Sequence, residues 1–274
     1  TFSVVAQCDF TPPYGGTLAL ISNTVGYAKV TPGVQIVATL PKSVTLRPIA
    51  YIDKSEVDGF EVDYGDGQGP GKRFTTRPGE NNYLYIYADS SVAAGKTTIT
   101  FTGSEIIRFC NATGTYKTTF TQIDEIVYVR SSSRKDMYLF AAYTPITKIH
   151  DGAFDALPNA QRWTIAFANC TSLTAVPAGL FDKCIGMTMA NRIFLSCGKL
   201  ATVGAGLFNE SSGTLEDMSD CFYNCGSLTT NVNDICSETF PACTTIQTMF
   251  YGCAKVTGSR SEFMAKFPNL TTLG

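Results

Sequence analysis

The sequence predicts a mainly β chain in two parts, a sandwich of short strands followed by a stacked array, a solenoid with repeats of about 27 residues. Three observations predict it. A Phe-x-x-Cys unit recurs in the second half, with its phenylalanines 27, 28 and 28 residues apart. A second phenylalanine series runs between those copies. Before residue 118 the chain reads instead as short runs of β-branched and aromatic residues broken by glycine-rich turns.

Residues 1–44 come first. They are expected to be an N-terminal β arm or extra strands, because "FSVVAQCDF" is apolar enough to want a partner. Residues 45–118 follow as the sandwich. "VTLRPIAYI", "GFEVDY", "NNYLYIYA" and "KTTITFTG" are its strands, and "DYGDGQGPG" is a turn cluster between two of them. Asp63 and Asp66 lie in that cluster. They lack the Asp-x-Asp-x-Asp-Gly pattern of a calcium loop and are read as turn residues that cap their own backbone. Tyr83, Tyr85 and Tyr87 alternate with Leu84 and Ile86, so one set faces the core. The tyrosines are the candidate ligand face, with cross-strand packing as the ordinary alternative.

Residues 119–274 form the array. Its first column is Phe167, Phe194, Phe222 and Phe250, each followed three residues on by Cys170, Cys197, Cys225 and Cys253. Three residues further stand Leu173, Leu200, Leu228 and Val256. The second series is Phe154, Phe181, Phe208, Phe240 and Phe267, spaced 27, 27, 32 and 27. Three residues after each comes Leu157, Cys184, Ser211, Cys243 and Leu270. Leucine, serine and cysteine therefore exchange at one position, which suits a small buried site and not a metal ligand. The cysteines of these two series are expected to be buried, mostly reduced core rungs, while Cys8, Cys110, Cys221 and Cys236 lie outside the register and leave room for a pair among themselves. "VPAG" and "VGAG" turn corners, and the longer interval near "NVNDICSE" is expected to be a bulged loop. The segment "FPNLTTLG" is expected to close the array.

Composition narrows the function. Hydrophobic residues make up 44% and charged residues 16%, so a large core forms under a surface covered by Thr, Ser, Asn and Gly. A net charge of -2 with no long basic run argues against nucleic acid. "VRSSSRKD" is read as a solvated loop. No apolar stretch is long enough to span a membrane as a helix. The only histidine, His150, would have to serve any histidine-dependent catalytic arrangement and is read as a partly exposed structural residue. No nucleophile and base pair, phosphate loop or metal cluster is found, and no cofactor is expected.

The stretch "FANCTSLTAVPAGLF" (167–181) resembles the BspA-like leucine-rich repeats of surface proteins in gut Bacteroidetes and their phages. "VDYGDG" with "RPGENNYLYIY" resembles the PKD-type Ig-like domain. The resemblance implies a non-enzymatic, surface-displayed recognition or adhesion module, extracellular or on the cell surface once a signal peptide is removed. Its partner would be a protein or carbohydrate on another cell or host surface. The alternative is a structural virion component of a bacteriophage, a fibre or decoration protein joined to other subunits through residues 1–44. An enzyme is the third reading.

Overall fold

β-Branched and aromatic residues at alternate positions bury one face of a strand and leave the other free. In Gly33–Leu40 (β1) this puts Val34, Ile36, Ala38 and Leu40 in the core. The structure is a computed structural model that describes residues 33–42, 47–79, 82–104, 107–109, 120–130 and 134–271. The further strands of the first part are β2 (Ala50–Asp53), β3 (Glu61–Asp63), β4 (Phe74–Pro78), β5 (Tyr83–Ala88), β6 (Gly95–Thr102), β7 (Ile107–Arg108) and β8 (Gln122–Arg130). They make two four-stranded sheets, ordered β3-β6-β1-β8 and β4-β5-β2-β7. Every pairing in both is antiparallel. The chain is mainly β, as its strand-like runs predict, and neither sheet is closed. No helix among the described residues is long and apolar enough to cross a membrane.

Residues 33–40, expected within an N-terminal β arm or extra strands of 1–44, form a strand that pairs with β6 on one side and β8 on the other. Residues 1–32, where the arm and its subunit contacts were expected, lie outside the described residues. Residues 122–130, grouped with the array, form the sheet edge instead: Ile123, Ile126 and Tyr128 point into the same core as β1. "VRSSSRKD" is not a solvated loop at either described end. Val129 and Arg130 finish β8, and Arg134 is buried, donating to the Ile107 carbonyl at 2.6 Å and the Tyr128 hydroxyl at 3.0 Å.

β8 is also where the second part begins. Its outer edge runs parallel to the next segment at Ile123 and Ile146, and Tyr128 N–H donates to the Ala153 carbonyl at 2.8 Å. From there, successive segments bridge in parallel through one column, Asp136, Arg162, Met189, Asp217 and Thr245. Two short strands, β9 (Ala175–Val176) and β10 (Thr202–Val203), pair in parallel at the "VPAG" and "VGAG" corners. Gly204 must be glycine there, since a Cβ would lie 2.1 Å from the Ala178 backbone nitrogen.

Inside the stack the phenylalanines stand ring on ring. Phe167, Phe194, Phe222 and Phe250 are stacked at centroid separations of 5.7, 5.6 and 5.5 Å. Phe154, Phe181 and Phe208 stack at 6.0 and 5.9 Å, and Phe240 stacks on Phe267 at 5.3 Å. Among the described residues no ring contact joins Phe208 to Phe240. The insertion falls in that gap, and it is a short helix, α1 (Val232–Ile235), where a bulged loop was expected. Val232 and Ile235 are buried one helical turn apart, and the Asn231 side chain caps the helix by accepting from Asn233 N–H at 2.9 Å. A second helix, α2 (Arg260–Ala265), follows the last Phe-x-x-Cys unit and sets Phe263 edge-on to Phe250 at 5.5 Å.

Phe222 is fully buried between two stacked neighbours. Phe222→Ala should lower stability by about 3–5 kcal/mol, measured by denaturant unfolding. Phe250→Ala, at the half-buried end of the column, should cost less.

Candidate functional site

The turn that carries each Phe-x-x-Cys unit divides its backbone donors in two. In the turn of Phe167, the N–H groups of Trp163, Ile165, Phe167 and Asn169 donate forward to Met189, Asn191, Ile193 and Leu195 of the next turn, at 2.7–3.2 Å. Those of Ala166, Ala168 and Cys170 donate back within the turn to Trp163, Ile165 and Phe167. An α-helix would spend every N–H internally and leave none for a neighbour. Alternation solves this, and it requires left-handed residues. Ile165, Asn169, Arg192, Ser196, Asp220, Asn224, Thr248 and Gly252 all have φ between 51 and 77°. For a non-glycine residue that conformation costs roughly 1–2 kcal/mol, and the bonds between turns offset it.

Part of this pattern stands in the sequence. The residue before each cysteine is Asn169, Ser196, Asn224 and Gly252, and Asn and Gly are the residues that enter left-handed geometry most readily. No such signal marks Ile165, Arg192, Asp220 or Thr248.

Left-handed residues turn their side chains out on one face and build a furrow there. One hollow of about 430 Å3 runs from Tyr143 past Ile165, Asn169 and Arg192 to Asp220 and Tyr223. Tyr143 and Asn169 also wall a second hollow of about 300 Å3 that reaches Arg47 and Ser172. Arg192 Nε lies 3.0 Å from Asp220 Oδ2, and the Thr248 hydroxyl donates to the same carboxylate. This pair joins neighbouring turns, and at its exposure is worth no more than about 1 kcal/mol. Beyond it Tyr223 and Tyr251 stack at 4.9 Å, with Tyr251 61% exposed. At the other end Leu139, Ala142 and Ala168 form a small apolar cluster outside the main core, with Tyr143 and Leu195 against it. The furrow therefore presents rings, an amide, a guanidinium and a carboxylate in a row.

The cysteines lie just beneath. All eight in the described residues are free and buried, while Cys8 and Cys110 fall outside them. Each thiol of the main column donates to a carbonyl of the turn before: Cys197 to Phe167 at 3.2 Å, Cys225 to Phe194 at 3.2 Å and Cys253 to Phe222 at 2.9 Å. Ser211 does the same with its hydroxyl, to the Cys184 carbonyl at 2.7 Å. Cysteine and serine each bring one donor to a carbonyl of the turn before, which explains how serine replaces cysteine there. Leu173, Leu200 and Leu228 are fully buried, and Val256 is partly so.

The tyrosine row of β5 is placed differently. Tyr83 lies against the Arg108 guanidinium at 4.6 Å, Tyr85 edge-on to Tyr51 at 4.9 Å, and Tyr87 under Arg77 at 4.5 Å. Each ring is packed against a neighbouring side chain. Asp63 and Asp66 accept from Gly65 and Gln68 N–H as turn caps, and Asp66 also pairs with Arg73 at 2.7 Å. His150 is half-buried and contacts the Asp151 carbonyl. No group of three or more His, Cys, Asp or Glu side chains among the described residues could hold a metal ion. No protein-family model, curated protein or solved structure matches the chain.

Two outcomes are expected. Asn224 is exposed and left-handed, so Asn224→Gly should leave the melting temperature nearly unchanged. Asn224→Val should lower stability by about 1–2 kcal/mol through strain alone. The second concerns the thiols. Burial pushes Cys184 up to about 12 and Cys243 up to about 11, and it raises Cys197, Cys221 and Cys236 as well. A raised folded pKa keeps the proton on in the folded state after the unfolded thiol, near 8.5, has lost it. Stability is then full below about pH 8.5 and falls above it, by about 1.4 kcal/mol per pH unit for each such thiol. Denaturant unfolding from pH 7 to 11 should show this steep alkaline loss. Thiol alkylation at pH 8 should label these cysteines only after unfolding.

Proposed function

We propose that this protein is a non-enzymatic recognition or adhesion module, displayed outside the cell or on its surface, that binds a glycan or a protein along the furrow of its left-handed turns. On this reading the two sheets are a PKD-type Ig-like sandwich, and the stack is a BspA-like leucine-rich-repeat solenoid. The parallel bridges and stacked phenylalanines at that repeat's spacing support this. The observation that carries the function is the furrow, where the Tyr143 and Tyr223 rings flank the Arg192–Asp220 pair. A ring offers a flat apolar face for a sugar or an aromatic side chain. The guanidinium and carboxylate offer directed hydrogen bonds beside it.

A second reading, a structural virion component, is favoured by one observation. The eight described cysteines are free, whereas proteins that fold in oxidising compartments commonly carry disulfides. Assembly in a reducing cytoplasm suits that state.

The test is binding of the full chain to glycan arrays and to host-surface protein extracts. Tyr223→Ala and Arg192→Ala should each weaken a captured ligand about tenfold with little change in melting. A ligand indifferent to both substitutions would place recognition elsewhere. Copurification with capsid or tail proteins, and with no glycan or host protein, would favour the virion reading.

A further inference from the structure

Just before the second left-handed residue of each turn stands a residue on the furrow side. Down the stack these are Ala142, Ala168, Leu195, Tyr223 and Tyr251. The last two form a ring column. Tyr223 and Tyr251 lie 4.9 Å apart with their planes within 16° of parallel, so Tyr251 covers one face of Tyr223 and the other face is turned toward the preceding turn. There the column changes. Leu195 and Ala168 hold the next two positions, and Leu195 packs against the apolar cluster of Leu139, Ala142 and Ala168, away from Tyr223. The rings therefore stop at Tyr223, and the place where the next ring would stand belongs to the hollow of about 430 Å3 that Ala168, Leu195 and Tyr223 line. Around that place stand Tyr143, Asn169, Arg192 and Asp220, which bring donors and acceptors together. The two charged groups pair with each other at 3.0 Å and leave the slot with no net charge.

We propose that this slot takes the terminal sugar of a glycan, a neutral hexopyranose that sits on Tyr223 as one more ring of the column, a specificity that rests on the furrow being the binding face. The apolar C–H face of the sugar lies on the free face of Tyr223. Its rim of hydroxyls donates to Asp220 and accepts from Arg192 and Asn169. An aromatic side chain of a partner protein would stack as well on the ring. It would bring at most one polar group to a slot walled by Tyr143, Asn169, Arg192 and Asp220, and the others would be desolvated without a partner. A carboxylated sugar would find the guanidinium already paired. Linked sugars run edge to edge and cannot lie face to face in one ring column, so a chain end enters the slot and the rest of the glycan leads away from it.

The probes are the methyl glycosides of galactose, glucose and mannose, titrated into the full chain and followed by ligand-observed NMR. At least one should bind with a Kd on the order of 1 mM, with saturation transferred chiefly to the protons of one sugar face. Tyr223→Leu, which removes the ring, should weaken it at least about tenfold. Leu195→Tyr extends the protein's own ring column into the slot, so it should block the sugar while the melting temperature holds. Methyl glucuronide should bind more weakly than methyl glucoside. The proposal is overturned if no methyl glycoside binds at about 100 mM, if binding survives both Tyr223→Leu and Leu195→Tyr, or if the glucuronide binds more tightly than the glucoside. It is also overturned if N-acetyltyrosine amide binds more tightly than every sugar. A glycan that the full chain captures, lost with Arg192→Ala but unchanged in Leu195→Tyr, would remove the slot and leave the furrow standing. A captured ligand indifferent to Arg192→Ala and Tyr223→Ala would remove both.

Discussion

A backbone N–H taken out of water must find an acceptor, and the stacked half of this protein is organised around how its turns meet that demand. Each turn keeps half its donors for itself and sends the other half to its neighbour. Left-handed residues at the turn make the division possible, and they carry the side chains that line the furrow. Fold and candidate site thus share one cause. The conformation that lets turns stack also points Asn169, Arg192 and Asp220 outward in a row.

Side chains then fill the space that the ladder sets. Turns held by parallel hydrogen bonds bring equivalent positions into register, so a phenylalanine repeated at the right interval meets its own copy face to face. The thiols beneath use the second lone pair of the phenylalanine carbonyls. Cys170 N–H and Cys197 S–H both reach the carbonyl of Phe167. A hydrocarbon of similar size would fill the space but leave that lone pair unused.

The two halves are joined by the same means. β8 is antiparallel to β1 on one edge and parallel to the first turn on the other. The rings continue across the joint, from Phe101 to Phe109 at 5.6 Å, to Phe140 at 5.6 Å and on to Phe167 at 6.0 Å. Most of the buried apolar residues of the sheets and the stack belong to one cluster. One end of the ladder is closed by a sheet edge, and beyond the last Phe-x-x-Cys unit α2 packs Phe263 against the phenylalanine column.

The sequence by itself determined what repeats along the chain. Phe167, Phe194, Phe222 and Phe250 and their cysteines were legible because stacking forces equal positions to recur at equal intervals. The strands of the sheets were legible because burial of one face forces alternation. The tertiary structure alone decided the rest. Nothing local in "VRSSSRKD" says that Arg134 is buried, since its acceptors, Ile107 and Tyr128, come from other strands. Nothing in "YLYIY" says that its tyrosines pack against Arg77, Tyr51 and Arg108. The furrow belongs to no single turn: Tyr143, Arg192 and Tyr223 come from different ones and become neighbours only when the ladder forms. Repetition leaves its mark in sequence because each turn obeys the same local rule, whereas a surface shared between turns exists only after they have stacked.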